Sequence, residues 1–131
     1  MDTYMIKREQ AFNTQFNKWL RSRFKKTGAY ELKHSRGKSY LNFQEVKKHQ
    51  IQALLQAKNG TFVYKISDIG MVQTPFDCFA LHKIPAYIVI KYRTFFCLID
   101  IEDFTNEIEM SEKKSLTEAR AKEISFIVVS D

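Results

Sequence analysis

The chain has 131 residues, 44% of them hydrophobic and 14% aromatic, with only four glycines and two prolines, so residues 1–131 are expected to form a single domain around one core. That excludes a second domain and wholesale disorder. The formal charge of +6 is uneven: residues 1–50 hold 12 Lys/Arg against 4 Asp/Glu, residues 51–131 hold 9 against 11, and a basic half of that size is expected to meet a polyanion.

In chain order, Phe12, Phe16, Trp19, Leu20 and Phe24 recur at steps of three and four and predict an amphipathic helix from about Lys7 to Lys26, with Gly28 as its left-handed stop. Lys18, Arg21, Arg23, Lys25 and Lys26 ring its polar side. A short strand is expected over Ala29–His34, then a basic loop at Ser35–Ser39. Gly37-Lys38-Ser39 is like the end of a Walker A loop, but Leu32 occupies the position that motif needs as glycine. A second helix is expected from Asn42 or Phe43 to Lys58, capped by Asn42 and closed by Asn59-Gly60, with Phe43, Val46, Gln50, Ala53, Leu54 and Ala57 facing inward. Gln50 thus points with the apolar side chains and needs hydrogen-bond partners.

After Gly60, Thr61–Ile66, Phe76–Leu81, Ala86–Tyr92 and Phe95–Ile101 read as strands of one mixed sheet. Ile101–Met110 reads as acidic and irregular, Ser115-Leu116-Thr117-Glu118 as a capping box opening a helix to Ile124, and Ser125–Ser130 as an edge strand. Cys78 and Cys97 lie in apolar strand segments without metal-ligand spacing and are expected to be reduced core thiols. The polar, charged start Met1–Arg8 and the lack of an apolar run near the roughly 18 residues of a membrane span predict a soluble, intracellular protein with no membrane partner.

Two acids carry the chemistry. Residues two apart on a strand share a face, so Glu31 and Lys33 stand together while Leu32 turns into packing. A carboxylate is a hard-oxygen ligand for Mg²⁺, the Leu32 carbonyl can add a second, and an ammonium beside them can face phosphate charge. Asp77 follows Thr74-Pro75-Phe76 and shares a face with Phe79 and Leu81, company in which an aspartate needs a partner or a metal.

Glu31-x-Lys33, the basic loop, Asn42-Phe43, Val46, His49-Gln50 and Ala53-Leu54 resemble the PD-(D/E)XK nuclease superfamily, and within it RecU-type and phage Holliday junction resolvases. The resemblance covers residues 29–66 well and 86–104 loosely. It implies an α/β (α+β) fold: a central mixed β-sheet flanked by helices, a restriction-endonuclease-like core with permuted strand order, because Asp77 follows the E-x-K segment instead of preceding it. It further implies a Mg²⁺-dependent endonuclease (Mn²⁺ substituting) acting on branched DNA as a homodimer in the bacterial or phage-infected cell. Glu31, Lys33, Asp77 and Gln50 would be its catalytic residues, and Glu31, Asp77 and the Leu32 carbonyl its metal ligands. Lys18, Arg21, Arg23, Lys25, Lys26, Arg36 and Lys38 would hold the DNA backbone. A permuted order would set the Asp77 strand beside the Glu31 strand. A second register takes Asp77 with Val89-Ile90-Lys91, making Lys91 the working lysine; Lys33 is favoured because it sits two residues from Glu31. Glu9 and Glu45 are further acids, read first as surface charges. The alternative function is a nuclease-fold protein that binds nucleic acid without cutting it.

Overall fold

A computed structural model describes residues 3–66 and 76–131, with side chains from Lys7 onward. The chain is mixed α and β. Its centre is a four-stranded sheet of β1 (Ala29–His34), β5 (Ala86–Lys91), β6 (Phe95–Asp100) and β8 (Ile127–Ser130), in the order β1-β5-β6-β8. β1 runs parallel to β5 and the other pairs are antiparallel. Two small antiparallel pairs lie outside this sheet: β2 (Tyr40–Asn42) with β7 (Ser115–Thr117), whose Leu41 and Leu116 join the core, and the hairpin β3 (Thr61–Lys65) with β4 (Cys78–His82). Among the described residues, the four strands expected to share one sheet after Gly60 therefore fall into two, β5 and β6 in the central sheet and β3 and β4 in a pair of their own, because alternation identifies strands but not the partners they choose.

β5 and β6 are buried on both faces, which accounts for their nearly continuous apolar text. Tyr87, Val89, Phe96 and Leu98 meet Phe12 and Phe16 of α1 (Thr3–Trp19) on one face. Ile88, Ile90, Cys97 and Ile99 meet Leu54 of α2 (Lys48–Asn59), Phe104 of α3 (Ile101–Met110) and Ala121 of α4 (Glu118–Ile124) on the other.

Several boundaries differ from the sequence reading for local reasons. α1 passes into a π-turn over Leu20–Phe24 and stops at Lys25, whose φ of 53° is left-handed and whose N–H bonds the Leu20 carbonyl at 2.7 Å. Gly28 serves a different need, since a Cβ there would lie 2.9 Å from the Pro85 carbonyl oxygen. The expected second helix splits into a 3-10 turn at Phe43–Glu45 and α2 itself. Ile101–Met110 is a helix, not irregular: Asp100 caps it by accepting from the Glu102 N–H, acids occupy its first turn, and Ile101 and Phe104 bury. At the last helix the cap is Thr117, accepting from the Arg120 N–H, so Ser115 stays in β7. Cys97 is buried as expected, but Cys78 is exposed because its strand belongs to the projecting β3–β4 hairpin.

Among the described residues no helix is long and apolar enough to cross a membrane.

Candidate functional site

β1 is an edge strand, and its register decides what each residue faces. Glu31 pairs with Ile88 and Lys33 with Ile90, so both side chains lie on the α2 face, while Tyr30 and Leu32, opposite Tyr87 and Val89, pack toward α1. The Ala29 N–H bonds the Pro85 carbonyl and the Ser35 N–H bonds the Lys91 carbonyl. Backbone groups alternate sides along a strand, so odd-numbered residues face β5 and the Leu32 carbonyl points out from the free edge.

Glu31, Lys33 and Gln50 form one cluster. Gln50 Nε2 donates to Glu31 Oε1 at 2.8 Å, and Lys33 Nζ lies 3.7 Å from the same oxygen. Gln50 Oε1 accepts from the Lys47 N–H at 2.9 Å, so one amide caps the start of α2 and orients the carboxylate. The inward amide expected from the sequence thus has partners at both ends. Glu31 and Lys33 side chains keep 32% and 19% of their exposure, enough for a ligand to reach them.

The cluster lies between two hollows. One, of about 620 Å³, has Glu31, Gln50, His49 and Ala53 on one side and Phe62, Tyr64, Phe79 and Leu81 of the β3–β4 hairpin on the other. The second, about 470 Å³, is lined by Lys33, His34, Glu9, Glu45, Arg36 and Lys47. His34 was not singled out in the sequence: its Nδ1 accepts the Arg36 N–H at 2.8 Å and its ring meets Phe12 edge-on. Burial first, then the charges of Arg8 and Lys91, hold its pKa below the ordinary imidazole value. A neutral ring accepting at Nδ1 carries its proton on Nε2.

Asp77 precedes β4 by one residue. Its carbonyl accepts the Ile66 N–H, its side chain is exposed, and its carboxylate has no hydrogen bond or ion pair with the described residues. Thr74 and Pro75 of the motif lie outside the described residues. β4 pairs with β3, not β1, so the expectation of two acids on neighbouring strands is corrected: a hairpin stem springing from the end of α2 captured β4. Phe79 and Leu81 line the larger hollow with Glu31, whereas Asp77, in the bend before β4, does not.

Lys91 lies on the opposite side of the sheet from Glu31, with Tyr87 and Val89, and its ammonium is paired with Asp131. Of the two lysines, only Lys33 touches Glu31. Glu9 is engaged by Arg36 at 3.1 Å, and Glu45 Oε2 accepts the Asn42 N–H. Lys18, Arg21, Arg23, Lys25 and Lys26 are exposed on the α1 layer, across the sheet from Glu31. Arg36 and Lys38 flank the turn after β1, Arg36 with φ 59° and Lys38 above the Tyr40 ring. Near Glu31 the exposed Lys47, which the helical pattern disguised as ordinary surface charge, lines the same hollow as Lys33.

Among the described residues no three His, Cys, Asp or Glu side chains gather as a metal-ligand group. The oxygen-only set of Glu31 carboxylate and outward Leu32 carbonyl still has the chemistry of a Mg²⁺ site, since that ion keeps several waters and takes one or two carboxylates. No family model, curated protein or solved structure matches this chain.

Proposed function

We propose that this chain is a Mg²⁺-dependent DNA endonuclease of the PD-(D/E)XK kind, acting on branched DNA such as a Holliday junction, with a restriction-endonuclease-like core and a symmetric dimer as its working form. The observation that carries the reading is the Glu31–Lys33–Gln50 cluster on the open edge of β1. The parallel β1/β5 pair bridged through α2, with α1 on the opposite face, supports the core assignment.

In this reading Glu31 and the Leu32 carbonyl would hold the metal, with Asp77 of the hairpin as the further carboxylate that the resemblance implies. A bound Mg²⁺ would supply Lewis acidity toward a phosphoryl oxygen and a more acidic water. Gln50 keeps the Glu31 carboxylate aimed, and Lys33 stabilises negative charge on the phosphate beside it. Lys47 holds the backbone near the cluster, while the α1 cations with Arg36 and Lys38 hold strands that pass round the β1 edge, contacts that position without reading sequence.

A second reading, a nucleic-acid-binding protein that does not cut, is favoured by one feature: Glu31 is already partnered by Gln50 and Lys33. Cleavage of four-way, flapped, nicked and linear DNA with Mg²⁺ separates the two. The nuclease reading expects cleavage that falls by at least about 100-fold in Glu31→Gln and Lys33→Ala, with binding in EDTA retained. Cleavage of none of these DNAs rejects it, and full activity in Asp77→Ala removes Asp77 from the site.

A further inference from the structure

The face of the β3–β4 hairpin that looks toward Glu31 is aromatic. Phe62 and Tyr64 on β3 stand opposite Leu81 and Phe79 on β4. The Tyr64 and Phe79 rings are parallel within 10° at 5.5 Å, Phe62 lies 5.8 Å from Tyr64, and Phe76 meets Phe79 edge-on. Tyr64 and Phe79 nevertheless remain 56% and 40% exposed, a costly state for large rings if nothing stacks on them. The remaining lining of the hollow, about 620 Å³, includes the small residues Gly28, Ala29, Ala53 and Ala57 beside Tyr30, His49, Gln50 and Leu54. That volume accommodates a planar ring system.

Charge around the hollow selects among occupants. Among the described residues no cation lines the aromatic hollow itself, but the adjoining hollow on the other side of the Glu31–Lys33 cluster carries Lys33, Arg36 and Lys47 beside Glu9 and Glu45. Aromatic faces bordered by ammonium groups are how proteins hold unpaired nucleic-acid strands, rings stacking on bases while cations follow the phosphates. A concave aromatic hollow, with a carboxylate at its end and cations in the adjoining hollow beyond it, suits a base and its phosphate better than the flat apolar patch of a second copy.

We infer that Tyr64 and Phe79 form a stacking subsite for an unpaired nucleobase, placed so that the adjoining phosphate reaches the Glu31–Lys33 cluster. This rests on the nucleic-acid part of the proposed function, and it would direct the chain to branched or bulged DNA, where bases stand free of the helix.

The test is binding in EDTA, so that it does not depend on cleavage. Fluorescence anisotropy would compare a labelled duplex with the same duplex carrying a central unpaired thymine, for the wild type and for Tyr64→Leu, Phe79→Leu and Phe79→Trp. The wild type is expected to prefer the bulged DNA, the leucine variants to lose about 5- to 150-fold on it while keeping duplex affinity, and Phe79→Trp to keep the preference. Equal wild-type affinity for both DNAs overturns the subsite, as does a leucine effect confined to self-association in sedimentation. Since a leucine variant can fail to fold, 5-iodouracil at the unpaired position, photolysed with wild-type protein, gives an independent readout. Crosslinks are expected at Tyr64 or Phe79, and crosslinks mapping only elsewhere overturn the assignment. Bulge preference without any Mg²⁺-dependent cleavage would leave the subsite standing and reject only the nuclease.

Discussion

Gln50→Leu probes the link between helix start and candidate site, because one amide serves both. Losing the bond from the Lys47 N–H removes a cap interaction of about 1 kcal/mol. The bond to Glu31 is charge-assisted but only part-buried, so solvent screening limits it to about 1 kcal/mol as well. Leucine keeps most of the packing volume, so the expected loss is about 2 kcal/mol. At roughly 3–4 °C per kcal/mol for a chain of this length, Tm should fall by about 7 °C. Thermal unfolding by circular dichroism would measure it, with Gln52→Leu on the exposed side of the same helix as a control expected to stay within about 0.5 kcal/mol of wild type. If the reading of the cluster is right, Mg²⁺-dependent cleavage should fall with Gln50→Leu well below the temperature at which the variant melts. A Gln50→Leu protein indistinguishable from Gln52→Leu in both measurements would refute the argument.

Acid should act through the chain end. Burial opposes it, but the bonds from Lys91 and Gln15 and the Lys91 charge hold the Asp131 carboxyl below its ordinary pKa. A depressed carboxyl contributes stability above its unfolded pKa of about 3.9 and loses it as pH falls through the lower folded value. Asp131→Asn should therefore lower the urea midpoint at neutral pH, with the gap to wild type closing toward about pH 2. A gap that does not change with pH would sink the assignment. Thiol reactivity should split the cysteines: Cys78 is exposed, whereas burial pushes the Cys97 thiol up to about 11. Ellman's reagent should titrate one thiol rapidly in the native protein and the second only on unfolding, and Cys78→Ser should abolish the rapid phase.

Local pattern was enough to mark most of the elements. The 3.6-residue stripe through Phe12, Phe16 and Trp19 marks α1, and the apolar runs at 86–91 and 95–100 mark buried strands, because side-chain periodicity is set by backbone geometry alone. The same arithmetic placed Glu31 beside Lys33 and turned Gln50 inward. α3 was not legible because its apolar stripe is short and its acids read as loop, whereas Glu102 and Asp103 sit in its first turn, where the helix dipole favours them, and Glu107 is paired with Arg120.

What sequence alone could not decide was which strand lies beside which, since alternation carries no address. Only the folded chain sets β1 next to β5, makes β1 an edge with the Leu32 carbonyl outward, and sends β4 to β3 instead of to β1. It alone turns Lys91 to the opposite face from Lys33, because the parallel register sets Lys33 beside Ile90 and Lys91 beside His34. Glu31 and Gln50, 19 residues apart, meet because α2 packs across β1, and Phe79 faces them because the hairpin folds back along that helix. Contacts of that kind are fixed by the burial of both sheet faces, a property of the whole domain that no short window of residues contains.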